Sequence, residues 1–314
     1  MNAEDVCFVV NPRSAGGRTA ARLNELEREV ARRFSNATVQ LTRGPGDAEA
    51  RARDAVRDGA SVVVAVGGDG TASEVVNGLA GAPSATVFAV LPAGTGCDLV
   101  RTLEMPRDLG ACLDVIASAP ARPVDVVEVQ ATTPGGVVKR RCINVAGFGV
   151  NGEVVARANR SRKLLGGKLT FLLSTARAMA TWAGPTVDVS WTASDGSYGS
   201  WTGPLSAAFI ANGAYCGGGM WVGPGGAMDD GALDLLILPH RSLAVAALQS
   251  RHLYDGTLDR VAGAVVASVT HVTAASVGGP ILVDVDGEQP GILPLTASVV
   301  PKALMIRAFS TGGR

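Results

Sequence analysis

Residues 61–79 read SVVVAVGGDGTASEVVNGL. The apolar run Val62–Val66 enters Gly67-Gly68-Asp69-Gly70-Thr71 without a polar spacer, and a helix-like pattern follows at once. A run that is apolar on both sides fits a strand buried on both faces, the situation of a parallel sheet covered by helices. The glycines allow backbone N–H groups to converge on an anion, and the positive end of a helix adds partial charge there. The stretch therefore predicts a strand, a phosphate-binding turn and a helix, with Asp69 placed to hold a metal-bound water or to orient phosphate-bound Mg²⁺.

The same logic recurs on either side. Ala89–Leu91 leads into Pro92-Ala93-Gly94-Thr95-Gly96, and Cys97-Asp98-Leu99 opens another helix. Upstream, Asn11-Pro12-Arg13-Ser14-Ala15-Gly16-Gly17 follows the first strand. Turns at neighbouring strand ends build a cleft where open α/β sheets bind ligands, so a nucleotide site is expected. Strands at Val6–Val10, Thr38–Leu41, Ser61–Val66 and Thr86–Leu91 alternate with helical segments around Leu23–Phe34, Asp47–Asp58, Thr71–Leu79 and Leu109–Ile116.

Beyond Pro123 the texture changes. Val124–Gln130 and Val137–Val145 flank Thr-Thr-Pro-Gly-Gly as a hairpin, Val187–Thr192 and Trp201–Ile210 flank an Asp-Gly turn, and Leu233–Leu238 and Ile281–Val285 read as strands. Gly152–Trp182 reads as helical. The expected division is residues 1–124, to which 300–314 return, and a mostly antiparallel β domain, 125–299. The alternating Asp284, Asp286 and Glu288 share one face of an extended strand if that strand continues so far. Three carboxylates on one face repel unless a metal or a cleft uses them.

Length and composition are compatible with two domains and an ample core. The chain has 314 residues, 47% of them hydrophobic, and Lys plus Arg balances Asp plus Glu at 28 each. That balance provides no global field for nucleic acid. Five scattered cysteines without a C-x-x-C pair suit a reducing compartment, and no apolar stretch reaches a membrane span, so a cytoplasmic address is expected. A local basic group, Arg157, Arg160, Arg162, Lys163 and Lys168, reads as a solvated helix face. Three motifs are set aside. Gly147–Gly152 matches a dinucleotide fingerprint but lacks the downstream acid for the ribose, and Gly166-Gly167-Lys168 lacks the hydroxyl residue of a P-loop. The three histidines have no metal-ligand spacing.

NPRSAGG, AVGGDGT and LPAGTGCDLVR, followed by INVAGFGVNGEV, GGGMWVGPGGAMDDGALDLLIL and VDVDGEQ, together resemble the diacylglycerol kinase catalytic family, which includes bacterial lipid kinases and sphingosine kinases. The resemblance spans nearly the whole chain. It implies an NAD kinase/diacylglycerol kinase-like fold: an N-terminal αβα three-layer nucleotide domain and a C-terminal β-sandwich for the lipid. It also implies ATP with Mg²⁺ as donor. Asn11, Thr42, Gly67, Gly68, Asp69, Gly70, Thr71, Ala72, Ser73, Gly94 and Thr95 then fall at the nucleotide. Asp286 and Glu288 fall at the base that takes the hydroxyl proton, with Asp69 the third catalytic residue. Asp230, with the carbonyls of Ala227 and Ala232, falls at a structural metal. Where the family usually has Asn-Asp in the second turn, this chain has Cys97-Asp98. The activity implied is a lipid kinase acting at a membrane surface, with transient membrane association through Gly217–Val222, Leu164–Trp182 and the basic group. A second copy of the chain is an admissible partner. The alternative is an NAD kinase-type enzyme with a soluble substrate, although the only Asn-Glu pair, Asn24-Glu25, lies upstream of the glycine turn rather than downstream.

Overall fold

A computed structural model describes residues 2–94, 97–161, 175 and 177–312. The chain divides into two compact units, Met1–Asp125 with Lys302–Gly312, and Val126–Pro301.

The first unit is built on parallel strands β1 (Asn2–Val10), β2 (Phe34–Leu41), β3 (Val62–Gly67) and β4 (Val87–Pro92). The last residues of β15 (Glu288–Arg307) complete the sheet, Met305–Arg307 pairing in parallel with Val87–Ala89. The strand order is β15-β4-β3-β1-β2. Val6–Val10, Val62–Val66 and Val87–Leu91 are buried throughout, which is why their sequences are apolar at every position. Helices α1 (Arg18–Ala21), α2 (Leu23–Arg33), α3 (Asp47–Arg57), α4 (Asp69–Gly78), α5 (Asp98–Thr102) and α6 (Leu109–Ser118) cover it, α3 packing on α4 and α2 on α6. Phe34 does not extend α2 as its spacing suggested. It opens β2 and packs its ring edge-on against Phe8.

The second unit is antiparallel. It contains β5 (Arg122–Thr133, beginning in the first unit), β6 (Gly136–Cys142), β7 (Val145–Gly149), helix α7 (Val150–Ser161), β8 (Thr186–Ala193), β9 (Tyr198–Ala211), β10 (Tyr215–Cys216), β11 (Met220–Trp221) and β12 (Leu233–Pro239). Helices α8 (Leu243–Gln249) and α9 (His252–Asp255) follow, then β13 (Val265–Ser276), β14 (Leu282–Val285) and the first part of β15. The order is β12-β13-β8-β9-β7-β14-β15, with β12 also against β9 and β13 also against β15. These extra pairings fold the sheet back on itself as a sandwich around Phe148, Ile210, Leu235, Val272 and Val283.

Two sequence expectations are corrected here. The second arm of the first hairpin does not run through Val145, because Ile143 and Asn144 leave the ladder between β6 and β7. Nor do Asp284, Asp286 and Glu288 share one strand face. Asp286 and Gly287 both have positive φ (51° and 85°) and form the turn between β14 and β15, so that Val285 pairs with Glu288. Gly147 and Gly152 serve packing. A Cβ on them would lie 2.4 Å from the carbonyl oxygens of Ala208 and Leu282, and the strands flanking Gly147 are antiparallel.

Candidate functional site

The glycine turn after β3 sits where the sequence placed it. Gly68 is the N-cap of α4, and the N–H groups of Thr71 and Ala72 close on its carbonyl. The first N–H groups of such a helix have no partner within it and point outward, giving the anion-binding geometry. The second turn packs directly against the first. The Ala93 N–H donates to the Gly67 carbonyl, and a Cβ on Gly94 would come within 2.9 Å of the Gly68 Cα. A Cβ on Gly67 would sit 2.4 Å from the Thr71 hydroxyl. Gly94 therefore lets the two turns approach this closely, and Gly67 lets the first turn of α4 fold back on the end of β3.

Asp69 is the link between the turns. One carboxylate oxygen accepts the Asp98 N–H at 3.2 Å and the other accepts the Leu99 N–H at 3.1 Å. The side chain thus satisfies the N-terminus of α5 and fixes the second turn against the first. Cys97, the residue at the usual asparagine position, is the N-cap of α5 with φ 56° and is buried. Its thiol points to the Gly67 carbonyl at 3.9 Å. Burial, then the charge of Asp69, pushes its pKa up to about 11, so it stays a neutral thiol.

The first turn joins the same cluster. The Asn11 amide donates to the Thr71 hydroxyl at 3.2 Å, its carbonyl oxygen accepts the Arg13 N–H, and Ser14 closes back on the Asn11 main chain. Thr42 is buried, its N–H bonded to Val10 at the end of β1. Thr71, Ala72 and Ser73 are buried at 5%, 1% and 3% exposure, whereas Gly68, Asp69 and Gly70 are half-buried. Thr95 lies outside the described residues. Glu74, which sequence reasoning did not single out, accepts the N–H groups of Gly46 and Ala48 and so caps α3. The sequence offered only an acid inside α4, because its partners lie 26 and 28 residues upstream.

In the second unit the carboxylates divide by role. Asp286 is buried, and one oxygen accepts the Asn144 and Val145 N–H groups and the Cys142 thiol while the other accepts the Ile143 N–H. These bonds replace the ladder partners that Ile143 and Asn144 lack, which explains the break between β6 and β7. Burial raises the Asp286 pKa, and the thiol and three N–H donors act against it. Asp284 accepts the Gly287 N–H at 2.9 Å. Burial, then the charges of Asp286 and Glu288, brings its pKa up to about 8, near the value at which a group exchanges protons readily at neutral pH. Glu288 follows the turn and is half-buried.

The predicted metal loop is organised from within. Asp234 accepts the Gly225 and Gly226 N–H groups, and the exposed Asp230 accepts the Ala232 N–H at 3.0 Å with one oxygen. One carboxylate with carbonyl oxygens is a donor set suited to a hard cation that keeps several waters. Among the described residues no group of three or more His, Cys, Asp or Glu is arranged to hold a metal. Of the basic group, Arg157 pairs with Glu153 and donates to Thr181, while Arg162, Lys163 and Lys168 lie outside the described residues. Among the described residues no helix is long and apolar enough to cross a membrane.

Comparison with known proteins covers most of the chain. The diacylglycerol kinase catalytic domain matches residues 5–129, and the YegS C-terminal NAD kinase beta sandwich-like domain matches residues 144–308. A Xanthomonas oryzae pv. oryzae protein named "Probable lipid kinase YegS-like" is 31% identical over 291 residues, 90% of each chain. A protein of the same name from Pseudomonas aeruginosa is 31% identical over 76% of this chain and 74% of its own. Among solved structures, a diacylglycerol kinase from Bacillus anthracis str. Sterne superposes with TM-score 0.69 at 20% identity, covering 97% of both chains. Yeast NADH kinase complexed with NADH superposes with TM-score 0.53 at 14% identity, covering 98% of this chain and 83% of that one. These two likenesses concern the fold.

Proposed function

Because the chain belongs to the family that joins a diacylglycerol kinase catalytic domain to a YegS-type C-terminal domain, we propose that it transfers the γ-phosphate of ATP, as the Mg²⁺ complex, to a hydroxyl of a diacylglycerol-like or sphingoid-like lipid. The observation that carries this reading is the pair of turns at the ends of β3 and β4, held together by the Asp69 carboxylate.

Phosphoryl transfer asks mainly for positioning and for neutralisation of charge on the phosphoryl oxygens. The N-terminus of α4 at Gly68–Thr71, with Gly94 and Thr95 on the second turn and Asn11 and Thr42 beside them, is assigned the nucleotide. Ala72 and Ser73 support that surface from beneath. Asp69 acts by positioning the second turn. The acceptor oxygen forms its bond to the γ-phosphorus as the bond to the departing ADP oxygen breaks, and the hydroxyl proton passes to a carboxylate. Glu288 is assigned that proton, with Asp284 beside it, and Asp286 holds the turn that presents both. Asp230 and the carbonyls of Ala227 and Ala232 would hold a structural cation that stiffens their loop.

The test offers radiolabelled ATP with Mg²⁺ to purified protein with diacylglycerol, sphingosine and NAD in parallel. Label in the organic phase supports the reading and identifies the acceptor class. Label on NAD replaces it with a soluble-substrate kinase.

A further inference from the structure

Helix α8 reverses the usual rule for a surface helix. Its sequence, LAVAALQ, is apolar in six of seven positions, and none of its residues is buried. Leu243 is 53% exposed, Val245 38% and Leu248 70%. At about 100° per residue, Leu243, Ala244, Val245, Ala247 and Leu248 occupy one continuous arc, and all five are exposed. The two half-buried positions, Ala246 and Gln249, lie together on the opposite side. The single polar side chain therefore faces the protein while five of the six apolar side chains face outward. A soluble surface helix does the opposite.

The helix is held in place at both ends. Upstream, the Arg241 guanidinium donates to the Ala262 carbonyl and the His240 ring packs on Gly184. Downstream, His252 is buried and shares a 2.5 Å hydrogen bond with Thr257, whose hydroxyl donates to Asp255. The Trp221 ring packs on Gly256, and Leu253 joins the cluster of Phe209, Val222 and Leu236. The nearby Gly217–Val222 segment is itself packed, with Trp221 against Tyr215 and Val222 fully buried, so its side chains support this region from within.

Charge and size select the occupant. From Leu235 to Tyr254 there is no Asp or Glu, and the next acid, Asp255, is bonded to Thr257 beside His252, whereas exposed Arg241 and Arg251 bracket the helix and Tyr254, in α9, is 57% exposed. Apolar side chains ringed by arginine and an amphipathic aromatic fit the boundary between acyl chains and anionic headgroups. A second copy of the chain fits less well. Seven residues make a helix about 10 Å long, too short to supply by itself the roughly 800 Å² per partner that a standard protein interface buries.

We propose that α8, with Leu243, Val245 and Leu248 inserted and Arg241 and Arg251 at its rim, is a docking surface for an anionic lipid bilayer. This surface adds to the proposed kinase reading and does not depend on it. The test is sedimentation of the full chain with vesicles of phosphatidylcholine alone or mixed equally with phosphatidylglycerol. The wild type is expected to pellet with the anionic vesicles. Leu243→Glu with Leu248→Glu is expected to lose about tenfold or more in partitioning, and Arg241→Gln with Arg251→Gln to lose the preference for anionic vesicles. The leucine pair changes only exposed side chains, the arginine pair also removes the Arg241 bond to the Ala262 carbonyl, and circular dichroism with urea unfolding checks that both variants keep the wild-type fold. Undiminished pelleting of the leucine pair overturns the proposal. So does a concentration-dependent dimer of the wild type that the leucine pair abolishes, which would give this face to a second copy. Transfer to an acceptor dissolved in detergent micelles, measured alongside, reports the kinase reading separately. Leucine-dependent pelleting without any transfer would leave docking standing and remove the kinase.

Discussion

Asp286 carries the sharpest residue-scale consequence. Its carboxylate receives three main-chain N–H groups and a thiol in a buried setting, so a truncated side chain leaves donors without a partner. Each unsatisfied buried donor costs about 1–3 kcal/mol. Asp286→Ala should therefore lose at least about 3 kcal/mol in urea unfolding, and Asp286→Asn less, because one carbonyl oxygen remains. Asp284 behaves in the opposite sense. Its folded pKa of about 8 lies above the unfolded carboxylate value, so the folded state binds the extra proton. That contribution is complete below about pH 4 and is lost as pH rises toward about 8. Asp284→Asn keeps an acceptor for the Gly287 N–H and should be more stable than wild type at pH 8 by about 1–3 kcal/mol, with a flatter profile between pH 4 and 8. Neither behaviour was legible from the alternation of Asp284, Asp286 and Glu288. The partners of Asp286 lie more than 140 residues away, and an Asp-Gly pair at positive φ turns a strand that the alternation alone would extend.

At the scale of the element, β3, its glycine turn and α4 were readable in advance because one rule applies to each. An apolar run on both sides gives a buried strand, and adjacent glycines give close backbone approach. Two substitutions separate these effects. A Cβ on Gly94 meets the Gly68 backbone, so Gly94→Ala should cost about 1–3 kcal/mol of stability as well as nucleotide affinity. A Cβ on Gly70 has no neighbour within 4 Å and Gly70 has no positive φ, so Gly70→Ala should fold at least as well as wild type. If the N-terminus of α4 holds phosphate, that added methyl meets the ligand, and titration calorimetry should show ATP binding weakened by about tenfold or more with stability intact. Equal affinity would move the nucleotide elsewhere. Elements whose reading depends on tertiary partners were less visible. The strand β13, VVASVTHVTAAS, carries few large apolar residues, and the orientation of α8 has no sequence signature beyond its lack of charge.

At the scale of the whole molecule, the chain's end completes its beginning. Arg307 donates to both oxygens of Glu4, at 2.7 and 2.9 Å, and to the Ile116 carbonyl, while its strand extends the first unit's sheet beside β4. Breaking a largely buried pair on one side costs about 3–5 kcal/mol, and here less because Glu4 is partly exposed. Arg307→Ala should lose about 2 kcal/mol, and a chain ending at residue 301 should lose the cooperative unfolding of the first unit in a urea titration. The parallel order of the central strands followed from their apolar runs. The ion pair that seals them did not, because no local pattern joins residue 4 to residue 307. The proposed reaction, phosphorylation of a lipid hydroxyl by ATP bound at the turns after β3 and β4, is checked by transfer of radiolabelled γ-phosphate into the organic phase by wild type and Gly70→Ala under identical conditions. Labelled lipid is expected from the wild type and at least about tenfold less from the equally stable variant. No labelled lipid from a wild type that binds ATP, or undiminished transfer by the variant, would contradict it.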